Sequence, residues 1–568
     1  MHLRPKHLAA GALALAVSQA AIAGTNPYFS PLTQSSAVAS PDHVNELNSP
    51  WQTPAGISQT RLMSLVEVEN DVLQSIQRTD GDGRGNPAGR NASMFDMLAY
   101  SPSGRYIYIP HETGIGAGLS RYDSRHGITE LIFAGNELGD RNDVLGDTWA
   151  YDYGAFDPAR MTPNQTVIAA EEWSGQGRVV EVMKPYAEAP DDPVAGSPDM
   201  QPGVGYRELT SIAKVSHEGI NFSLKHWNKV IFFIDEDRSG SIYKLVLNKA
   251  GDYMGGGQTF VLVVDGFTGN ADERWDGSGS DDSDVNKDPE VQASRFGPAT
   301  WVPITDTNGV PLPGVRNPFD NSDLDDSDQC VPSENRCQPS ARPGRDSADD
   351  VNGTPYGRPE DMTIGESKHG NEMLYVTTTS ENAVISIENY GGHKAMVRQF
   401  ASTETPKNLG YAPTTGELNS PDNLAQDGLG NIYIIEDSPN SGDVGGDVWF
   451  ARDLDNDGVA ESIDHFISLQ VNGSEATGMI FHPKDPSKFV IAVQHPTTTD
   501  ITTDGAVGGQ HGDAVWEFDI AGVHPPKCDG GYQYSHYGKH KIRTCTKARD
   551  VNYQRKLNRA GPTSAYRP

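Results

Sequence analysis

The most informative pattern along the chain is a short apolar run that ends in polar residues and recurs six times. Each run is bounded by the Pro, Gly and Asp turns that are typical of short antiparallel strands. Five of the six runs end in carboxylates. The runs are Tyr106–Glu112, Val167–Glu172, Val230–Asp237, Leu374–Glu381, Ile432–Asp437 and Phe489–His495.

A recurring strand unit cannot bury both of its faces alone, so the repetition predicts a stacked or circular array. Six such units closing a ring form a six-bladed β-propeller, which is an all-β fold. Equivalent positions of the blades then converge on one axis. Converging carboxylates repel one another unless cations lie between them, so the same pattern predicts a metal site. The residues expected near the axis are Glu112, Glu172, Asp235 or Glu236, Glu381, Glu436 and His495.

The N-terminus carries Arg4 and Lys6, then an apolar run, then the small-x-small sequence Ala21–Ala23. This order predicts a signal peptide, and the absence of a twin arginine indicates the Sec route. We therefore expect a periplasmic or secreted protein. The expected segments are a signal peptide over 1–23, a lead-in over 24–94, the propeller over 95–524 with acidic loop insertions at about 255–288 and 311–352, and a basic C-terminal tail over 525–568.

The chain has 77 acidic and 45 basic residues, which give a formal net charge of −32. An acidic surface cannot release phosphate counterions, so the charge argues against a nucleic-acid partner. No apolar run beyond the signal is long enough to cross a bilayer, and we expect a soluble monomer. The cysteines fall in two local pairs, and in an oxidising compartment we expect Cys330 to bond Cys337 and Cys528 to bond Cys545.

One local motif predicts a calcium loop. Asp453 and Gly458 are the first and sixth positions of a twelve-residue pattern in which glycine permits the sharp turn. The residues that offer carboxylate oxygens are Asp453, Asp455, Asp457, Glu461 and Asp464. Strand-like sequence flanks the motif on both sides, so we expect a structural calcium site and not a helix–loop–helix sensor.

Several further motifs occur in one order along the chain. They are Ala170–Trp173, His217–Glu218, Asp235–Arg238 with Ile242–Leu245, Arg358–Asp361, Ser420–Asn423, Glu475–Gly478 and Val493–Pro496. Each motif alone is weak, but the set in this order is specific. It resembles the motifs of the PhoX alkaline phosphatase family, and the resemblance extends from about Phe95 to Phe518.

The resemblance implies a six-bladed propeller with iron and calcium at its axis, and hydrolysis of small-molecule phosphate esters. It implies that Arg358 grips the substrate phosphate with its planar guanidinium. It also implies that an acidic set ligates the metals. That set is Glu171, Glu172, Glu218, Glu360, Asp422 and Glu475, with Asp235 from a further matching motif.

The chain departs from the family at one ligand. Ala170 stands where the family has a cysteine whose thiolate bridges two irons, and a methyl group cannot replace a thiolate. We therefore expect calcium as the cofactor and not the iron pair. Two alternatives to the phosphatase remain open, a non-catalytic calcium-stabilised binding propeller and a calcium-dependent lactonase-type hydrolase.

Overall fold

The computed structural model describes most of the region between residues 95 and 520 and three flanking pieces. The described residues are 28–36, 49–64, 95–114, 116–136, 138–139, 149–173, 177–200, 202–237, 239–269, 271, 294–319, 342–428, 430–437, 445–471, 474–494 and 513–520, with the strands at 532–537 and 540–545. The predicted signal peptide and both predicted cysteine pairs lie outside the described residues and side chains.

Nearly all regular structure in the described residues is β-strand. The first half contains β1 (Trp51–Gln52), β2 (Ser58–Ser64), β3 (Ala99–Tyr100), β4 (Tyr106–Pro110), β5 (Gly118–Asp123), β6 (Ile128–Ala134), β7 (Phe156–Met161), β8 (Val167–Glu171), β9 (Val179–Val182), β10 (Tyr206–Glu208), β11 (Ile220–Phe222), β12 (Val230–Ile234), β13 (Ile242–Leu247), β14 (Gly257–Val264) and β15 (Gly297–Pro303).

The second half continues the same pattern. A short helix, α1 (Pro343–Asp349), and a 3-10 turn (Thr379–Glu381) stand among its strands. The strands are β16 (Pro359–Glu366), β17 (Glu372–Thr378), β18 (Ala383–Gly391), β19 (Lys394–Ser402), β20 (Pro421–Gln426), β21 (Ile432–Glu436), β22 (Asp447–Arg452), β23 (Ser462–Leu469), β24 (Glu475–Phe481), β25 (Lys488–Gln494), β26 (Ala514–Asp519), β27 (Tyr532–Tyr537) and β28 (His540–Cys545).

The strands form antiparallel meanders grouped into sheets. Three sheets have four strands, in the orders β3-β4-β5-β6, β10-β9-β8-β7 and β2-β26-β25-β24, and a fourth has five, in the order β1-β23-β22-β21-β20. A nine-stranded sheet consists of the meanders β11–β15 and β16–β19, which are joined where β15 pairs with β19. β27 and β28 form a separate hairpin.

The first strands of successive meanders contact one another in a cycle, β3–β7–β11–β16–β20–β24, that returns to β3. The fold is therefore all-β and propeller-like, as the repeated runs predict. Each sheet packs between two neighbours, so its strands are buried on both faces. This explains why the runs are continuously apolar: all five residues of β12 are buried. Among the described residues, no helix has the length and apolar composition needed to cross a membrane.

The structure corrects three predicted boundaries. The lead-in supplies β1, which pairs with β23, and β2, which pairs with β26. Each of them covers a sheet edge that would otherwise be open. The predicted loop from 255 instead contains β14, whose apolar residues pack between β13 and β15. The second predicted loop ends in α1, whose residues from Pro343 to Ala348 are buried.

The pairing of β2 with β26 joins the N-terminal part of the chain to the last meander, and Met63 anchors it in a cluster with Phe95 and Val515. Met63→Ala should lower the free energy of unfolding by about 2–4 kcal/mol, because it leaves a cavity in that cluster. Urea denaturation measures the change. Thr60→Ala, on the exposed face of the same strand, should change stability by less than about 0.5 kcal/mol. Equal effects of the two substitutions would show that β2 does not close the last sheet.

Candidate metal centre

An acidic residue lies at the start of the first strand of each meander. These residues are Asp96, Asp157, Glu218, Glu360, Asp422 and Glu475, and all are buried, with exposed fractions of 8% or less. Because the first strands contact one another in a cycle, the carboxylates converge on the centre of that cycle. The meander order therefore builds one acidic centre from residues that are far apart in the chain.

The carboxylates form three groups in which one oxygen of each member lies within 4.8 Å of the others. One group is Glu218, Glu360 and Asp422, and a second, which shares Asp422, adds Asp437 and Glu475. The third group is Asp96, Glu112 and Asp157. Carboxylate oxygens this close together can coordinate one divalent cation, and calcium takes 6–8 oxygen ligands.

The electrostatics of this centre favour bound cations. Burial raises the pKa of Asp422 to about 6, and the neighbouring charge of Asp437 acts in the same direction. Burial also raises the pKa of Glu218 and Glu475 well above the usual range, and nearby carboxylates add to the shift. Without a cation the protein must therefore hold protons or accept repulsion in its interior. The residues present fit a hard divalent cation.

A repeated backbone turn sets these carboxylates in place. Ala155, Arg358 and Ser420 each stand two residues before an acidic residue and have φ values of 48°, 51° and 41°. Their carbonyl oxygens accept the N–H groups of Glu172, Thr379 and Asp437 at 2.8, 3.0 and 3.0 Å. Positive φ is strained for residues other than glycine, and such strain persists where the surrounding structure fixes a functional site.

The ends of the second strands supply further polar groups, as the repeated runs predict. Glu112 and Asp437 join the groups described above. Burial raises the pKa of Asp96 and of Asp157, and the charge of Glu172 adds to both shifts. The amide of Gln494 donates to Asp96 at 2.9 Å and to Glu112 at 3.2 Å.

Two of the predicted axial positions behave differently. Glu381 forms a bidentate pair with Arg295, at 2.6 and 2.5 Å. Glu436 accepts from Trp449 and the Asp447 N–H inside its own sheet, and its neighbour Asp437 reaches the centre instead. The third run offered Asp235 or Glu236, and of these two Glu236 binds Arg358. His495 lies outside the described residues.

Among the described residues, Arg358 is the cation that contacts this centre. Its Nε donates to Glu236 at 2.5 Å, and its Nη2 lies 3.0 Å from Glu360. The carboxylates around it raise its pKa and keep it charged, against the effect of burial. About a quarter of the side chain is exposed, so the guanidinium lies at the solvent side of the carboxylates.

Two of the implied ligands are not brought to the centre. Glu171 pairs with Arg178 at 2.8 Å and accepts the Gly154 N–H at 3.0 Å. Asp235 accepts the Ser216 N–H at 3.1 Å, and burial raises its pKa to about 7. Each is followed by an acidic residue that faces the centre. Successive side chains of an extended chain point to opposite sides, which explains why only one of each adjacent pair reaches it.

No sulfur donor takes part in the described centre. Ala170 is fully buried in β8, within the main hydrophobic cluster. His217 is also fully buried, with its ring 5.7 Å from that of Phe233, and burial lowers its pKa to about 3. The donors that the structure brings together are carboxylates, which are hard ligands.

The predicted calcium loop is only partly assembled. Asp453, Asp455 and Glu461 each place an oxygen within 4.8 Å of the others, and Gly458 has the positive φ, 87°, that the turn requires. Burial raises the pKa of Asp453 to about 7.

The remaining two residues of the motif differ. Asp457 lies 3.4 Å from Lys368 Nζ, which is also 2.8 Å from Asp455, so Asp457 stays beside the loop. Asp464 pairs with Arg452 at 2.9 Å inside its sheet. Asp464 belongs to β23, and its side chain points into the sheet and away from the loop.

Sequence reasoning missed Asp96, Asp157 and Asp437 as members of the centre. A signal for the first two was present in the spacing. Each precedes a second-strand run by roughly the interval that separates Glu360 and Asp422 from theirs. Asp437 follows Glu436 directly, and the sequence alone did not show which of the two faces inward.

Comparison with known proteins identifies the family. The family model for alkaline phosphatase PhoX matches residues 197–497, which is more than half of the chain. Pseudomonas fluorescens PhoX, solved with the transition-state analogue vanadate, superposes with a TM-score of 0.52 at 14% identity, over 87% of this chain and 100% of that one. At that identity the superposition shows the fold alone.

Weaker matches concern other solved structures. The gluconolactonase XC5397 from Xanthomonas campestris gives a TM-score of 0.33 at 9% identity, over 88% of this chain and 98% of that one. A Staphylococcus aureus virginiamycin B lyase gives 0.31 at 9% identity, over 75% and 95%. No curated protein matches the chain. The family match, its span and the PhoX-like fold agree with the motif order, and the chain belongs to the alkaline phosphatase PhoX family.

Proposed function

We propose that this protein hydrolyses phosphate esters of small molecules at the acidic centre, with calcium as the bound cation. The observation that carries the proposal is the convergence of buried carboxylates around Asp422, with Arg358 at their solvent side. Buried like charges require cations, and a guanidinium beside them is suited to a phosphate oxygen. Family membership supports the same reaction.

The residues that would hold cations are those of the three acidic groups. They are Glu218, Glu360, Asp422, Asp437, Glu475, Asp96, Glu112 and Asp157. A divalent cation bound there supplies Lewis acidity toward phosphate oxygens and lowers the pKa of a bound water. Glu172 adds negative charge beside them and strengthens cation binding. Asp453, Asp455 and Glu461 would hold a further, structural calcium.

Arg358 would bind and orient the phosphate. Glu236 and Glu360 hold two of its nitrogens, and its strained backbone fixes the direction from which the guanidinium approaches. Its charge would offset the charge that develops on the phosphate oxygens in the transition state. The partial exposure of its side chain supports contact with a substrate that arrives from solvent.

We also propose the finer architecture and the export route. The nine-stranded sheet would represent two blades whose edges pair, so that the cycle of first strands corresponds to six blades. The segment 1–23 would be a Sec-type signal peptide, and the mature protein would be a periplasmic or secreted monomer. Cys330 would bond Cys337, and Cys528 would bond Cys545.

Chelation should destabilise the protein. One site at a hundredfold excess of cation over its dissociation constant contributes about 2.7 kcal/mol. Excess EGTA should therefore lower the melting temperature by several degrees in differential scanning calorimetry, and added calcium should restore it. An unchanged melting curve would contradict the proposed cation sites.

The chelated protein should also respond to pH. The pKa of Asp422 is raised in the folded state to about 6, so its protonation stabilises the fold fully below the ordinary value of about 4. That stabilisation is lost as pH rises through about 6. In EGTA the protein should thus be less stable at pH 7.5 than at pH 5, and saturating calcium should reduce or reverse the difference. A chelated protein that gains stability from pH 5 to 7.5 would contradict the assignment.

Glu360→Gln and Arg358→Ala should each lower kcat/KM for a phosphomonoester by about a hundredfold or more, because each removes a charge that acts on the phosphate or on its cation. Arg105→Ala is the matched control, since Arg105 pairs with Asp123 at a distant turn. Circular dichroism checks that the variants fold. Activity that survives both substitutions would place the catalytic centre elsewhere. Calcium binding without any hydrolysis by the wild type would favour a non-catalytic binding propeller.

Ala170→Cys should raise iron occupancy, measured by elemental analysis after anaerobic loading with ferrous iron. Ala170 lies two residues before Glu172, so strand alternation places a cysteine here on the side of Glu172. Ala169→Cys, on the opposite face of β8, is the control. Stoichiometric iron in the wild type, or equal uptake by the two variants, would refute the idea that Ala170 excludes iron.

A further inference from the structure

The short helix α1 docks against β13 and the segment that leads into β11. The Gly344 N–H donates to the Lys214 carbonyl oxygen at 2.9 Å, and the Tyr243 hydroxyl donates to the Gly344 carbonyl oxygen at 3.1 Å. A methyl group on Gly344 would clash with the Lys214 carbonyl oxygen, so glycine permits this close approach. The contact brings the next residue, Arg345, into the protein interior, where 2% of its surface is exposed.

Arg345 holds the turn that follows β12. Its Nη1 lies 2.7 Å from Asp237 Oδ2, and Nη1 of Arg342, just before α1, lies 3.9 Å from the same oxygen. Burial lowers the pKa of Arg345, but the charges of Asp237 and Asp235 raise it above its ordinary value, so the guanidinium stays charged. Removing one partner of such a buried pair leaves the other charge uncompensated. The pair therefore fixes the position of Asp237.

The residue before Asp237 contacts the arginine of the acidic centre. Glu236 Oε1 accepts from Arg358 Nε at 2.5 Å, and Glu236 Oε2 accepts from the Ser216 hydroxyl at 3.3 Å. Two adjacent acids thus hold two different arginines, because Asp237 contacts Arg345 of α1 and Glu236 contacts Arg358. The turn after β12 therefore joins the helix to the guanidinium of the centre.

A second series of contacts joins this turn to the backbone of Arg358. The Asp237 carbonyl oxygen accepts from the Gly240 N–H at 2.6 Å, and the Gly240 carbonyl oxygen accepts from the Tyr356 N–H at 2.9 Å. Tyr356 stands two residues before Arg358, whose positive φ requires support from its surroundings. Both the side chain and the backbone of Arg358 are therefore connected to Asp237 through short series of contacts.

We propose that Arg345 is a positioning residue for Arg358 and acts through Asp237 and Glu236. This inference rests on the proposed phosphatase function, in which Arg358 binds the phosphate. A guanidinium that is held in direction before binding loses little entropy when the phosphate arrives. Without the Arg345 charge, the turn after β12 relaxes and Arg358 loses its orientation, while the carboxylates of the acidic centre stay on their own strands. The helix α1 thus serves the site from outside it.

The test measures the affinity for inorganic phosphate by calorimetry in saturating calcium, and kcat/KM for phenyl phosphate. Arg345→Met should lower both by about three- to tenfold, which is within the range of coupling in one charge network. Calcium affinity should change by less than twofold. Arg345→Lys keeps the charge and should retain most of the phosphate affinity. Arg316→Met is the matched control and should change neither quantity, since Arg316 pairs with Asp350 at the C-terminal end of α1.

A double substitution shows whether Arg345 acts through Arg358. In the Arg358→Ala protein, Arg345→Met should cause no further loss of kcat/KM, because the group that it positions is already absent. A further loss as large as the one in the wild type would overturn the inference. A parallel fall in calcium affinity and phosphate affinity would also overturn it, because that result indicates a general structural role.

The two readouts separate this inference from the hydrolytic function. Unchanged phosphate affinity and kcat/KM in folded Arg345→Met would overturn the positioning role and leave the phosphatase intact. If the wild type binds phosphate but hydrolyses no ester, a selective fall in phosphate affinity in Arg345→Met would support the positioning role and overturn the phosphatase. A wild type that neither binds phosphate nor hydrolyses esters would overturn both. If Arg345→Met is unfolded by circular dichroism, Asp237→Asn replaces it, and the same affinities decide.

Discussion

Mutual repulsion among buried carboxylates is the constraint on which this structure depends. The ordinary solution for a buried acid is an ion pair, and Glu171, Glu381 and Asp464 each have an arginine. In the part of the chain that the structure describes, the arginine seen on the central acids is Arg358, which contacts Glu360 and also Glu236. Burial and neighbouring charges raise their pKa values, so the fold without cations must bind protons there. Cation binding at this centre would therefore be coupled to folding.

The same strand geometry that creates the centre also selects its members. Adjacent acids on an extended chain point to opposite sides, so Glu172 and not Glu171, and Asp437 and not Glu436, face inward. The acids that face away from the centre accept hydrogen bonds from the surrounding strands and loops. Glu171 holds Arg178 and the Gly154 N–H, and Glu436 holds Trp449 and the Asp447 N–H. Each pair of adjacent acids thus supplies one member of the acidic centre and one structural hydrogen-bond acceptor.

The donor set bears on which cation this centre would bind. Oxygen donors alone suit calcium, whose flexible coordination tolerates a ring of carboxylates from separate strands. The strained turns at Ala155, Arg358 and Ser420 show how precisely the chain places those donors, because three meanders use the same backbone conformation before the acid. At Arg358 the same turn precedes Glu360 and also carries the guanidinium that contacts it, so one local feature positions both an acid of the centre and its arginine.

The sequence by itself determined the propeller-like all-β class, the family and the existence of an acidic centre. Apolar runs that end in carboxylates recur, and recurrence is visible without a structure. It also named Glu218, Glu360, Asp422, Glu475 and Arg358, which the structure brings close together. Only the tertiary structure decided which of two adjacent acids faces inward, that Asp96, Asp157 and Asp437 belong to the centre, and that β2 closes the last sheet. Each of these depends on side-chain direction or on strand pairing across hundreds of residues, and local sequence carries neither.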